Sequence, residues 1–231
     1  MRRVALWSAV GAALAVAGVV GAVVLVPRIA GDGPPFDPET VPGTQVVWVT
    51  APPGADHGTL ELWQRDASRR WARTLTSPAW LGAQGISDRA REGSDYTPQG
   101  TFTITEGFGR LPGPDATLPY LWVDPSDTWW WVSDPASPQY NRKVRCAEAD
   151  CPFDTARGEN LGRTVPEYDR ALVIDYNREP VAAGAGSAFF LHVDTGGPTA
   201  GCVAVAPDVV RTLLSTLQPS RQPVIGMYTA R

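Results

Sequence analysis

Glycine and proline interrupt this 231-residue chain so often, 23 and 22 times, that long regular helices have little room to form. The stretches between the breaks are short and mostly alternate apolar with polar. Val46-Val47-Trp48-Val49 and Thr59-Leu60-Glu61-Leu62-Trp63 read as strands, and Pro52-Pro53-Gly54 falls in the loop between them. Arg70-Trp71-Ala72-Arg73-Thr74-Leu75 alternates again, and glycine-punctuated loop follows over 81–95. Residues 97–100 read as a type I turn with Pro98 at its second position, feeding a strand at 101–105. Further strands are expected at 120–123, 128–132, 171–176, 188–193 and 224–228, with a long polar segment at 133–160. Helical periodicity is clear only at 207–217. There Pro207 suits the first position, Asp208 the positive helix start, and Val209, Val210, Leu213, Leu214 and Leu217 form an apolar stripe, with Pro219 as the stop. Many strands, one helix after Cys202 and no βαβ alternation place the fold in the mainly β class.

The N-terminus has a different character. Met1-Arg2-Arg3 precedes an apolar run over 4–26 in which Ser8 is the only polar residue. A helix of that length spans about 34 Å against a hydrocarbon core of about 30 Å, whereas the apolar part of a signal peptide runs to about 15 residues. Residues 1–29 are therefore expected to anchor the chain in a membrane, a cleaved signal being the alternative. Arg2 and Arg3 outweigh Arg28, which places the rest of the chain outside. Residues 30–43 are rich in Gly, Pro and Asp and read as a tether, leaving 44–231 as the domain. The formal charge of −4, with no basic block, argues against nucleic acid as a partner.

Two histidines and three cysteines carry most of the candidate chemistry. Cys146 and Cys151 share one polar loop and could be bridged, which would stabilise by about 2–3 kcal/mol and leave Cys202 reduced. A lone thiol in an exported domain needs an explanation. Cys202 could pack as a small hydrophobe, or the three cysteines and His192 could form a tetrahedral zinc site. It could also be a nucleophile, with His192, at the end of an apolar strand, taking its proton. For that role Gly201 leaves room for substrate, and the backbone N–H groups of Ala200, Gly201 and Cys202 could bind an oxyanion. Thr199, Asp194 or a backbone carbonyl could orient the imidazole. His57, beside Asp56 and Gly58, reads as a solvated loop residue. Alternation along Trp129-Trp130-Trp131 puts Trp130 on the opposite face from its neighbours. At least one ring would then line a surface or substrate groove, unless all three are packed as core.

His192 followed by Thr199-Ala200-Gly201-Cys202-Val203 resembles the L,D-transpeptidase family (YkuD-type catalytic domain), marked by a histidine, a loop, and Ser/Thr-x-Gly-Cys before an aliphatic residue. Thr97-Pro98-Gln99-Gly100-Thr101-Phe102 is similar to the segment that opens a core strand in that family. Asp134-Pro135-Ala136-Ser137-Pro138-Gln139-Tyr140-Asn141 and Gly186-Ser187-Ala188-Phe189-Phe190-Leu191-His192-Val193 resemble one bacterial subgroup with a Thr-Ala-Gly-Cys loop. The resemblance covers about 44–228. It implies a β-sandwich-type domain with a flanking helix, peptidoglycan as partner, and no metal or organic cofactor. It also implies that Cys202 attacks a stem tetrapeptide before its terminal D-Ala, which leaves protonated by His192. The thioester then passes to an amine as a cross-link, or to water in an L,D-carboxypeptidase, and carbapenems acylate the same thiol. Many members carry His where Ala200 stands and Arg shortly after the cysteine, near Ala204, and this His–Cys interval is shorter. Both acyl acceptors therefore stay open, as does a non-catalytic wall-binding module on the same fold.

Overall fold

The structure, a computed structural model, describes residues 33–230. The membrane segment expected at 1–29 lies outside the described residues. Among those described, no helix is long and apolar enough to cross a membrane.

The described elements are β1 (Gln45–Ala51), β2 (His57–Arg65), β3 (Trp71–Trp80), β4 (Ile86–Ser87), β5 (Thr97–Pro98), β6 (Gly100–Thr103), β7 (Gly107–Gly109) and β8 (Tyr120–Trp122). They continue with β9 (Trp129–Val132), β10 (Lys143–Arg145), β11 (Gly158–Asn160), β12 (Ala171–Val173), β13 (Phe190–Val193), β14 (Val203–Val205), α1 (Pro207–Thr216) and β15 (Val224–Thr229). Ten strands join in one curled, half-barrel sheet in the order β6-β15-β1-β2-β3-β14-β13-β12-β7-β8. Among the described residues the chain is mainly β with one α-helix, after Cys202, as its punctuation implied.

The two faces of the sheet are divided by strand alternation. Val47, Val49, Leu60, Leu62, Leu191 and Val203 face a core closed by the Val209, Val210, Leu213 and Leu214 stripe of α1. Burying each such side chain stabilises by about 1.5–3 kcal/mol, enough for the stripe to hold a helix of ten residues that would be marginal alone. Pro207 occupies the first turn, where its missing N–H leaves no bond unmade, and Asp208 Oδ1 accepts from Val209 N–H at 3.0 Å. The opposite face carries two clusters. One joins Val46, Trp48, Trp63 and Val224 to Phe36, so part of the expected tether is packed on the sheet. The other joins Phe108, Trp131, Tyr168 and Phe190. β1 is buried on both faces and therefore reads as a continuous apolar run.

Two local expectations change. Residues 97–100 form no type I turn: Thr97–Pro98 make up β5, and Gly100, at φ +141°, opens β6. Thr97 is buried, its hydroxyl accepts from Gly82 N–H at 2.8 Å and its own N–H donates to Gly85 O, which draws Thr97–Pro98 alongside Ile86–Ser87 as a parallel pair. Pro98 needs no ladder donor in so short a pair. The polar segment at 133–160 is also more regular than expected: β10 and β11 flank β9 in a second sheet, ordered β10-β9-β11.

Candidate active site

β13 and β14 run parallel, with Leu191 opposite Val203 and His192 opposite Ala204. Leu191, Val193, Val203 and Val205 take the helix-side core, so Phe190, His192 and Ala204 face the other way. Cys202, one residue before β14, packs on that second face. Its Sγ accepts from Phe190 N–H at 3.4 Å and its S–H donates to Ala188 O at 3.3 Å. The thiol and the imidazole thus sit on one face of adjacent strands.

The approach to Cys202 is held by the loop before it. Gly201 adopts φ +140°, and a Cβ there would lie 2.5 Å from Phe189 Cε1 and 2.9 Å from Tyr96 O, so only glycine fits. Thr199 was a candidate for orienting the imidazole and instead braces this loop. Its hydroxyl accepts from Gly201 N–H at 3.0 Å and donates to Cys202 O at 2.7 Å, while its backbone bonds to Leu81 and Ala83. Gly201 N–H is thereby engaged. The Ala200 and Cys202 N–H groups have no acceptor among the described residues.

His192 is only 6 % exposed, and its Nδ1 lies 2.8 Å from Val193 O. A carbonyl can only accept, so Nδ1 carries the proton and Nε2 is left as the free basic nitrogen. Val193 O, and neither Thr199 nor Asp194, is the orienting group. Burial holds the imidazole pKa below its ordinary value, against the opposing pull of the Val193 bond, Glu167 and Asp194. Burial also pushes the Cys202 thiol well up, with the Glu159 carboxylate adding to the rise and Phe190 N–H opposing it. Both directions favour a neutral thiol beside a neutral imidazole.

The chemistry around this pair includes residues that sequence reasoning missed. A cavity of about 160 Å³ is lined by Cys202, Ala200, Ala188, Ser187, Glu92 and Glu159, among others. Tyr168 stands edge-on to His192 at 5.9 Å between ring centroids, and its hydroxyl donates to Glu159 Oε2. Asn141, 2 % exposed, takes Trp131 Nε1–H (2.8 Å) and Ala188 N–H (3.2 Å) on Oδ1 and donates through Nδ2 to the carbonyls of Tyr176 (3.1 Å) and Asn177 (2.8 Å). Tyr140 accepts from Gly186 N–H at 3.0 Å and donates to Glu92. Residues 134–141 therefore grip 186–188, whose Ala188 carbonyl meets the thiol. Glu92, Glu159 and Tyr168 come from separate segments without a motif, whereas Tyr140, Asn141, Gly186 and Ala188 fall in the two motifs at 134–141 and 186–193.

Three other candidates lie elsewhere. Trp130 lines no groove at this cavity. It is 4 % exposed, donates through Nε1 to Cys146 O at 3.2 Å and meets the Phe153 ring edge-on, which packs it beneath the disulfide loop. Cys146 and Cys151 are bonded to each other, which dismantles the four-ligand zinc set. No cluster of three metal-ligating side chains occurs among the described residues. His57 is exposed and bonded to Asp56 at 2.7 Å. Larger cavities of about 640 and 650 Å³ hold no cysteine or histidine.

Residues 54–225 match the family model of the YkuD domain, the L,D-transpeptidase catalytic domain. No curated protein and no solved structure matches the chain. The matched span runs from the loop before β2 into β15 and takes in His192, Thr199, Gly201 and Cys202. With about three quarters of the chain covered by it, the protein belongs to the YkuD family of L,D-transpeptidase catalytic domains, whose activity is directed at peptidoglycan.

Proposed function

We propose that the protein is a cysteine acyltransferase that cross-links peptidoglycan stems through a thioester on Cys202. One observation carries this: the thiol shares a face and a cavity with unengaged backbone donors, beside a histidine whose tautomer leaves Nε2 free. In the first half-reaction Nε2 takes the thiol proton as sulfur bonds to the carbonyl carbon before the terminal D-Ala. The Cys202 and Ala200 N–H groups, which have no acceptor among the described residues, receive the oxyanion. The C–N bond then breaks, the imidazolium returns its proton to the departing amine, and D-Ala leaves. A cavity of about 160 Å³ is smaller than the ~300–1,000 Å³ of ordinary ligand pockets, so it takes the scissile end while the stem lies along the open surface. Passage to an amine gives the cross-link; passage to water gives a carboxypeptidase with the same first half.

On the same reading the chain works outside the cytoplasm, held by residues 1–29. Their apolar run supports this, and so does the Cys146–Cys151 bridge, since such bonds persist in oxidising compartments. Intact-mass measurement after exposure to a carbapenem tests the chemistry. A single adduct is expected, absent in Cys202→Ala and formed about 10²-fold or more slowly in His192→Ala. A wild type that stays unmodified would refute the acyl-enzyme.

A further inference from the structure

Glu159 is an awkward neighbour for a nucleophilic thiol. β11 pairs antiparallel with β9, placing Glu159 directly opposite Trp131, and directly opposed residues share a face. The Glu159 side chain therefore projects with the Trp131 ring, which packs on Phe190, and reaches the cavity that holds Cys202. Among the described residues the carboxyl has one hydrogen-bond partner, the Tyr168 hydroxyl on Oε2, and no cation pairs with it. Oε1 is left free.

A carboxylate in this place hinders thiolate formation, because like charges resist one another and Glu159 is one of the groups pushing the thiol upward. It does not serve the first half-reaction. It suits a step in which positive charge develops at the same point, and resolution of a thioester by an amine is such a step: the attacking nitrogen becomes cationic as it bonds to carbon.

We propose that Glu159 is the base that takes the proton from the attacking amine when the Cys202 thioester is resolved, which makes an alkyl amine the acceptor this site is built for. This rests on the acyl-enzyme described above. As the step proceeds, the N–C bond forms, the C–S bond breaks, and the N–H proton passes to the free Glu159 oxygen. The Cys202 thiolate leaves and recovers that proton from Glu159. The products are an amide, a thiol and the carboxylate that began the step, so no other reactant is needed. Two bases then divide the cycle, with His192 serving the departing amine and Glu159 the arriving one, and Tyr168 packed between them.

The proton affinity of Glu159 is in keeping with that work. Burial raises its pKa from the ordinary 4.5 to about 7, the Tyr168 bond opposes the rise, and Glu92 adds to it. The charged and titratable groups facing it are Tyr168 and Cys202, with Glu92 and Arg91 on the same cavity wall. Beyond the Tyr168 ring stand His192 and Glu167.

The test compares the full chain with Glu159→Gln and Glu159→Asp in two assays: acylation by a carbapenem, and transfer from a tetrapeptide donor to an alkyl amine across pH 5–9. Glu159→Gln is expected to acylate at least as fast as wild type, because the charge opposing the thiolate is gone. It should transfer to the amine about 10²-fold more slowly and lose the pH dependence near 7, with Glu159→Asp partly restoring both. Wild-type transfer by Glu159→Gln with an unchanged profile would overturn the proposal, as would equal losses in both assays, which mark a structural role. A wild type that is never acylated sinks the acyl-enzyme itself, a failure distinct from these.

Discussion

Asn141 ties the thiol to the rest of the fold, and replacing it with glycine isolates what its side chain contributes. The residue sits at φ +56°, where alanine would add backbone strain of about 1–2 kcal/mol that glycine avoids. Asn141→Gly deprives two buried donors, the Trp131 indole N–H and the Ala188 N–H, of their acceptor, and two part-buried carbonyls, those of Tyr176 and Asn177, of their donor. An unsatisfied buried group costs about 1–3 kcal/mol, so at the lower figure the two buried donors alone give a loss of about 2 kcal/mol, or about 6 °C in Tm for a domain of this size. Function should fall as well. Ala188 is itself held at φ +56°, with its N–H on Asn141 and its carbonyl on the Cys202 thiol. Released, it carries that carbonyl away from the sulfur, and a shift of about 1 Å at a reacting centre lowers rates about 10²-fold. Denaturant melts and carbapenem acylation rates, both measured where the variant is still folded, read the two effects. A stability loss under about 1 kcal/mol would refute the hydrogen-bond account. Wild-type acylation by a folded but destabilised variant would refute the link through Ala188.

Gly201→Ala should abolish acylation while leaving most of the fold, since its Cβ would strike Phe189 and the Tyr96 carbonyl; an active variant would show that the loop can shift freely. Glu159 binds its proton more tightly folded than unfolded, so its contribution to stability is full below about pH 4.5 and is lost as pH rises through about 7. Urea midpoints across that window should show this decline in wild type and lose it in Glu159→Gln. Reducing the Cys146–Cys151 bridge should lower stability by about 2 kcal/mol, and thiol labelling without reductant should find Cys202 alone.

Local pattern and remote partnership were unequally visible in the chain. Val46–Val49, the alternation at 59–63 and the stripe of α1 announce themselves, because burial on a strand or helix leaves a period in the residues. Cys202 and His192 were legible for a related reason: a lone thiol, a histidine and a Gly-Cys turn lie within one short stretch. Glu159 and Tyr168 were not, because β11 and the turn over Glu167–Asp169 are short, polar and without periodicity. Trp130 shows the limit of alternation. It does point away from its neighbours, but toward Phe153 and the disulfide loop, a neighbour supplied by residues 146–153 that no local rule places. The 97–100 stretch failed as a turn because a buried Thr97 hydroxyl bonded to Gly82 outweighs the preference of Pro98 for a turn position.

The position of β15 between β6 and β1 governs how the domain must assemble. Thr44 and Arg221, 177 positions apart, are bonded at the end of that ladder, so the centre of the sheet cannot close until nearly all of the chain is present. Topologies with such distant pairings fold slowly, and β1 waits meanwhile with one apolar edge unpaired. A half-synthesised chain is thus held open by its own connectivity, and losing the residues from Val224 onward would leave β1 and β6 as two raw edges, inviting the strand of another molecule.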